Sequence, residues 1–444
     1  MSAAAPSPAR PRRRWYQYGL RTLLLVTLAV CLVCGWLGYL TKVYQGRAGT
    51  LQRIAELGGS YEAVPKGPAW LRRIIGEDYV EVTKVTLSPL QSPTTWPSFS
   101  IAPLPPASTY VKTTRVVLTE DDCKQLARLI ELSELTISAC EIESAGLPHL
   151  RRLTNLKTLA LEGIRVTDAN TRLELRHFPL LERLHVSRPA YTISHFQEVW
   201  DDSQSLEVHL EDLPSLTEAQ FPGFRIQVGM LRGMDRLARL RASLAELSDE
   251  ARDDLARLPS LEQADARQSL VTEVPFSGSP RLKLLDLRAT LLGNDGLMPL
   301  AGLSQLEHLS LANTPIDDNG LSHLASLTNL RTLDLSGTKV TGSGFSHLVG
   351  AERLSHVMLK GTPVADQPLT DLRRLRGLVY LDLDETGVTD AGLKHLFDHS
   401  ALQWVSLYRT KVTHDSAMRV MRQQPPGLGA SILPFWDELL KLPR

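Results

Sequence analysis

A fixed repeat constrains this chain more than any other feature. Aligned on L-x-x-L-x-L-x-x-T-x-V, the carboxyl half gives starts at Leu282, Leu306, Leu330, Leu354, Leu378 and Leu402, each 24 residues after the last. The ninth position is Thr in every one of these copies: Thr290, Thr314, Thr338, Thr362, Thr386 and Thr410. The frame extends backward to Leu261, Leu237, Leu181, Leu156 and Leu132, so eleven copies are readable. Between Ala190 and Gly233 the register blurs, and Val208 and Leu210 offer the nearest match to a degenerate copy. A chain of 444 residues with such a period is an elongated array rather than one ordinary core.

The period is that of a leucine-rich repeat, whose unit of 20 to 29 residues carries one short strand and a helical or tight-turn return. In LRTLDL, Leu330, Leu333 and Leu335 point inward at strand spacing, and Thr332, Asp334 and Ser336 point to the other face. GTKV then turns the chain, and Phe345 and Leu348, three residues apart, supply a helical return. One copy cannot bury both surfaces, but stacked copies build a continuous core. The expected fold class is α/β: a leucine-rich-repeat solenoid (horseshoe) with a parallel concave sheet and convex helices, preceded by one transmembrane helix. In this register Cys123 takes the place of a buried helical Leu and Cys140 the ninth position, so both have packing roles and no disulfide is expected.

The transmembrane expectation rests on Thr22–Leu40, 19 residues without a charge. At ~1.5 Å per helical residue the run reaches about the ~30 Å of a bilayer core. Arg10, Arg12, Arg13, Arg14 and Arg21 crowd the short amino side, and Trp15, Tyr16, Tyr18, Trp36, Tyr39 and Tyr44 flank the run. Positive charge on that side predicts a cytoplasmic amino terminus and a repeat domain outside the cytoplasm. A cleaved signal peptide is the alternative, although no small-x-small site follows and the run exceeds a usual signal core. The organisation read this way is a basic cytoplasmic tail (1–21), a transmembrane helix (22–40), a juxtamembrane region with a Pro-rich insertion (41–111), the repeat array (112–424) and a C-terminal cap (425–444). In the cap, Phe435, Trp436, Leu439 and Leu440 form an apolar stripe.

YGLRTLLLVTLAV, AELGGSYEAV and GPAWLRRIIGEDYVEVTKVTL, together with repeats such as LDLSGTKVTGSGFSHL and LDLDETGVTDAGLKHL, resemble bacterial membrane-anchored leucine-rich-repeat proteins of the ribonuclease-inhibitor-like class. The resemblance implies a binding scaffold and brings no catalytic residues with it.

The chemistry-bearing patterns reduce to structure. In DLDETGVTD, Asp382 and Asp384 imitate the start of a calcium loop, but its twelfth position is Leu393 instead of a bidentate Glu. His149, His323, His347 and His395 each stand near the same helical Leu, with no third ligand type recurring beside them. The Thr column suits a hydroxyl bonding the backbone where the strand turns. G-x-S-x-G, H-E-x-x-H and the phosphate-binding G-x-x-x-x-G-K-[ST] are absent. Basic and acidic residues balance at 49 each, so no global field favours nucleic acid. No cofactor, metal or small-molecule substrate is expected.

The candidate binding surface is therefore the concave face: Thr332, Asp334 and Ser336; His356, Met358 and Lys360; Tyr380, Asp382 and Asp384; Trp404, Ser406 and Tyr408. Outward aromatic residues concentrate in the last copies, and Tyr and Trp are frequent interface anchors. The expected function is a non-catalytic, membrane-anchored scaffold for protein binding or adhesion. The alternatives are a surface hydrolase with a site in the irregular middle, or a purely structural envelope component. Replacing Leu333 by Ala should cost about 2–5 kcal/mol, measured by denaturant melting; unchanged melting would contradict the register.

Overall fold

The computed structural model describes residues 20–66, 80–88 and 116–421, apart from short stretches at 168–171, 188–189, 195–196, 201–206, 212, 224, 227–229, 244–245, 248–251 and 397–398. The Arg-rich amino end, most of the Pro-rich insertion and the C-terminal cap expected from the sequence lie outside the described residues.

The repeats stack as the Leu pattern requires. Strands such as Leu284–Asp286, His308–Ser310, Thr332–Asp334, His356–Met358 and Tyr380–Asp382 pair in parallel, each in register with the next at three residues. They belong to a 14-stranded sheet. Leu330, Leu333 and Leu335 are completely buried, as are Val340 and Phe345 on the return. The same columns in neighbouring copies join one continuous core. The chain is a leucine-rich-repeat solenoid on this evidence of its own strands, register and burial.

After each strand the chain turns sharply. Ala139, Gln268, Ala289, Asn313, Gly337, Gly361 and Glu385, all at the eighth position, have φ between 53° and 67°. Next to them, the Thr hydroxyls donate to the carbonyl three residues back: Thr314 to Leu311 at 2.6 Å, Thr338 to Leu335 at 2.7 Å, Thr386 to Leu383 at 2.6 Å. The Thr column is structural, as its position indicated. Cys123 and Cys140 are buried and unbridged, and burial pushes their thiols up to about 12 and about 11.

The return segments are tighter than α-helices in several copies. Ser144–Arg152, Asp295–Gly302, Gly320–Leu324 and Phe345–Leu348 are 3₁₀-helical, whereas Leu369–Leu372 and Asp390–Leu393 are single α-turns. A repeat of 24 residues that must also form a strand and two turns leaves little room for a longer helix. Close approach shapes the return too: a Cβ on Gly344 would lie 2.6 Å from the Asp318 carbonyl oxygen.

The missing copy is not where the sequence placed it. Val208 and Leu210 lie on Glu207–Glu211, which pairs with Arg172–Arg176 away from the main sheet. The sheet position belongs to Glu218–Gln220, between Arg183–Val186 and Arg239–Arg241. The copy starts at Leu216, with Ala219 and Phe221 at the two later core positions. All three are fully buried. Ala and Phe fill the Leu places with compensating volumes, and this hides the copy from a Leu pattern.

At the front, the sheet continues past the first repeat. Val80–Leu87 pairs in parallel with Glu134–Ser138 and antiparallel with Gly59–Pro65. A long helix, Leu20–Glu56, docks its last turns there, burying Leu51 and Ile54. Arg47, 4% exposed, sends a guanidinium nitrogen to both Glu131 carboxylate oxygens at 2.8 and 2.7 Å, and Arg53 reaches Asp122 at 2.7 Å. Asp122 also closes a capping box with Thr119 at the start of Glu120–Leu126. The uncharged run lies on the other end of the same helix, where Leu25, Leu28, Leu32 and Trp36 are exposed. Its side chains are described only at residue 25 and residues 27–39. Among the described residues no helix is long and apolar enough to cross a membrane.

Removing Arg47 leaves Glu131 the more exposed and more distant Lys66, at 3.6 Å, in place of its buried cation. Arg47→Ala should cost about 3 kcal/mol and raise deuterium uptake in Gly59–Pro65 and Val80–Leu87 while leaving the strands after Leu330 unchanged.

Candidate functional site

Each sheet strand offers two side chains to the outer, concave face, and the turn adds a third. In the first half of the array these positions form an ion-pair ladder. Glu134 lies 3.6 Å from Lys84 and 3.8 Å from Arg183, and Glu218 lies 3.3 Å from Arg239. Asp265 sits between Arg241 and Arg267 at 3.2 and 3.3 Å, and Asp286 holds Arg288 at 2.7 Å. Such neighbouring charges neutralise one another across the strands.

From Asp334 onward the pattern changes. Asp334 accepts from the Ser336 N–H and the Ser310 hydroxyl, both at 3.0 Å. Asp382 accepts from the Asp384 N–H at 2.9 Å, and Asp384 from the Ser406 hydroxyl at 2.5 Å and the Tyr408 N–H at 2.7 Å. These carboxylates shape the ends of their strands, a local use that also accounts for the calcium-like spelling of DLDETG. Lys360 turns to Glu385, at 3.8 Å. Burial pushes Asp382 up to about 6, with the charges of Asp384 and Asp334 adding to the shift. Burial and the same carboxylates raise the Tyr380 phenol, and burial lowers His308 and His356.

The twelve expected surface residues divide into three groups. Thr332, Asp334 and Met358, at 1%, 5% and 8% exposure, are shut away, although strand alternation counted them in the candidate binding surface. Ser336, His356, Tyr380, Asp382, Asp384, Trp404 and Ser406 are half-buried. Lys360 and Tyr408 are exposed, Tyr408 at 61%. His356 stacks on Tyr380 with ring centroids 5.7 Å apart, and the Arg409 guanidinium lies 5.2 Å from the Tyr408 ring centre. Tyr380, Trp404 and their neighbours are brought together by register, since Tyr380 pairs with Trp404 and Asp382 with Ser406.

Sequence reasoning missed a second device, on the flank. Asp318 accepts from the Thr341 N–H and hydroxyl at 3.0 and 2.6 Å, and from the Gly342 and Gly344 N–H groups. Asp366 holds Thr389 and Asp390 holds Thr413 in the same way, at 2.7 Å to both nitrogen and hydroxyl. These hydrogen bonds lower the Asp318, Asp366 and Asp390 pKa values against the opposing effect of burial. The signal was present as Asp at the thirteenth position of one copy and Thr at the twelfth of the next.

A cavity of about 570 Å³ lies by the irregular middle, lined by Thr154, His177, Pro179, Leu213, Pro214, Arg232 and Gly233. Among its described lining residues there is no carboxylate or Cys. Among the described residues no group of three His, Cys, Asp or Glu is placed to hold a metal ion.

No family model matches the chain, and no curated protein matches it in sequence. Among solved structures, an internalin from Listeria monocytogenes str. 4b F2365 is 20% identical over 64% of this chain and 83% of its own, with a TM-score of 0.46. A leucine-rich-repeat protein of Leptospira interrogans is 16% identical over 68% and 84%, with a TM-score of 0.44. The mouse RP105/MD-1 complex gives 17% over 70% and 58%, with a TM-score of 0.46. At these values the likeness adds nothing to what the strands and registers of this chain already establish.

The raised Asp382 pKa sets a pH dependence. Its contribution to stability is fully present below the ordinary carboxylate range and is lost as pH rises through about 6. Asp382→Asn should therefore melt above the unaltered chain at pH 7.5, with the gap narrowing as pH falls below about 6 and closing only below the ordinary carboxylate range; a gap independent of pH would contradict the assignment.

Proposed function

We propose that the chain is a membrane-anchored scaffold of bacterial type that recognises a protein partner, in binding or adhesion, through the concave face of its last copies. The observation that carries the reading is the cluster at the carboxyl end of the sheet. Tyr380, Trp404 and Tyr408 stand on or next to strands fixed by parallel pairing, Tyr408 mostly in solvent, beside Asp382 and Asp384. Rigid, amphipathic aromatic side chains lose little entropy on contact, and the leucine core does not require them on the outer face.

Anchoring is part of the same proposal. Exposed Leu25, Leu28, Val30, Leu32 and Val33 support it, on a helix whose other end is clamped to the array through Arg47 and Arg53. Arg on the short amino side supports a cytoplasmic amino terminus and an extracytoplasmic array. Continuity of the helix would hold the repeat domain close to the bilayer.

Two measurements test the reading. The full chain should stay in the membrane fraction after alkaline extraction, and release by that treatment would dismiss the anchor. Tyr380→Ala, Trp404→Ala and Tyr408→Ala combined should abolish affinity capture of the partner by a folded chain; unaltered capture would dismiss the surface.

A further inference from the structure

The outer carboxylates are treated in two ways along the sheet. In the earlier copies Glu134, Glu218, Asp265 and Asp286 each lie 2.7–3.6 Å from a Lys or Arg nitrogen. In the later copies Asp334, Asp382 and Asp384 make no ion pair among the described residues, and Lys360 and Arg409 both go to Glu385, at 3.8 and 3.4 Å. The hydrogen bonds that position Asp382 and Asp384 leave half of each carboxylate unused. The Asp382 bond and both Asp384 bonds end on Oδ1, so no described donor reaches either Oδ2.

Pairing sets Asp382 between Met358 and Ser406, and the Ser406 hydroxyl is already given to Asp384. On the same face stand Tyr380, at the start of the Asp382 strand, and Trp404, the residue paired with Tyr380. Thr332, in the row of Tyr380 and Trp404, adds a hydroxyl that is buried and has no hydrogen-bond partner. A half-buried carboxylate without a counter-charge destabilises a fold, and burial does push Asp382 up to about 6. The stacking of the repeats does not require that cost, since Ser310, Met358 and Ser406 occupy the same row uncharged. Residues kept at a cost in stability are characteristic of binding sites.

We infer, resting on the partner surface proposed above, that Asp382 and Asp384 receive the guanidinium of an arginine on the partner protein, with Tyr380 and Trp404 as the rings against which it lies. A carboxylate accepts guanidinium N–H groups in charge-assisted bonds, and an aromatic face attracts the same cation. The chain contains a small version of the arrangement, in which the Arg409 guanidinium lies 5.2 Å from the Tyr408 ring centre and 3.4 Å from Glu385. An uncharged or acidic segment laid on this surface would leave Asp382 desolvated and unpaired, so the carboxylates select a basic partner segment.

Fluorine NMR of the full chain in detergent micelles, labelled with 5-fluorotryptophan and with Trp404 assigned through Trp404→Phe, tests the inference. The probe is the end-blocked peptide Gly-Gly-Arg-Gly-Gly, compared with the same peptide carrying citrulline, an uncharged isostere of arginine. The arginine peptide should shift the Trp404 resonance saturably, and the citrulline peptide should bind at least about tenfold more weakly. Asp382→Asn should weaken the arginine peptide by a similar factor while melting no lower than the unaltered chain at pH 7.5, which separates lost binding from lost folding. Equal shifts from the two peptides, no shift from the arginine peptide, or unchanged binding to Asp382→Asn would each overturn it. Capture of the partner distinguishes this site from the surface that carries it: capture lost in the triple aromatic variant but unaltered in Asp382→Asn overturns the guanidinium site and leaves the partner surface standing.

Discussion

The backbone N–H of the eighth residue in a copy, held at positive φ, donates to the seventh carbonyl of the following copy. Ala139 reaches Glu162, Ala289 reaches Ala312, Gly337 reaches Lys360 and Glu385 reaches Tyr408, all at 2.7–2.8 Å. For a residue other than Gly this conformation costs about 1–2 kcal/mol. It persists because the contact fixes where the next strand begins, and with it the register of three paired residues and every buried Leu. The Thr hydroxyl one residue later satisfies the strand's last inward carbonyl from the same turn. Parallel pairing, a continuous core and a regular outer face follow from this turn being made the same way many times.

That turn was only partly legible in sequence. The Leu columns and the Thr column could be read because burial and turn geometry each demand one residue type. The eighth position could not be, since Ala139, Gln268, Asn313 and Glu385 adopt the glycine-like conformation with no glycine to announce it. The Leu216 copy was hidden for the converse reason, its core volume being divided differently among Leu216, Ala219 and Phe221. Clamps such as Asp366 to Thr389 join residues 23 apart, and a pattern read within one repeat passes over a bond made between two.

The outer face shows the same limit. Strand alternation assigned Thr332, Asp334 and Met358 to the side away from the leucine core, but alternation does not report how deeply a side chain is buried there. The first half of the sheet spends its charges on one another, and the central copies are shut. At the carboxyl end, hydrogen bonds hold Asp382 and Asp384 in place and Tyr408 remains open. The open part of the outer face is therefore narrower than the whole surface, and its Tyr408 lies at the end of the array remote from the docked helix Leu20–Glu56.

Hydroxyl-radical footprinting of the full chain, purified and again in its native membrane, tests the partner surface most directly. Trp404 and Tyr408 should lose reactivity in the native membrane, while Tyr61, exposed on the hairpin at the opposite end of the sheet, keeps its own. Protection of Tyr61 with Trp404 and Tyr408 unchanged would contradict a partner surface in the last copies.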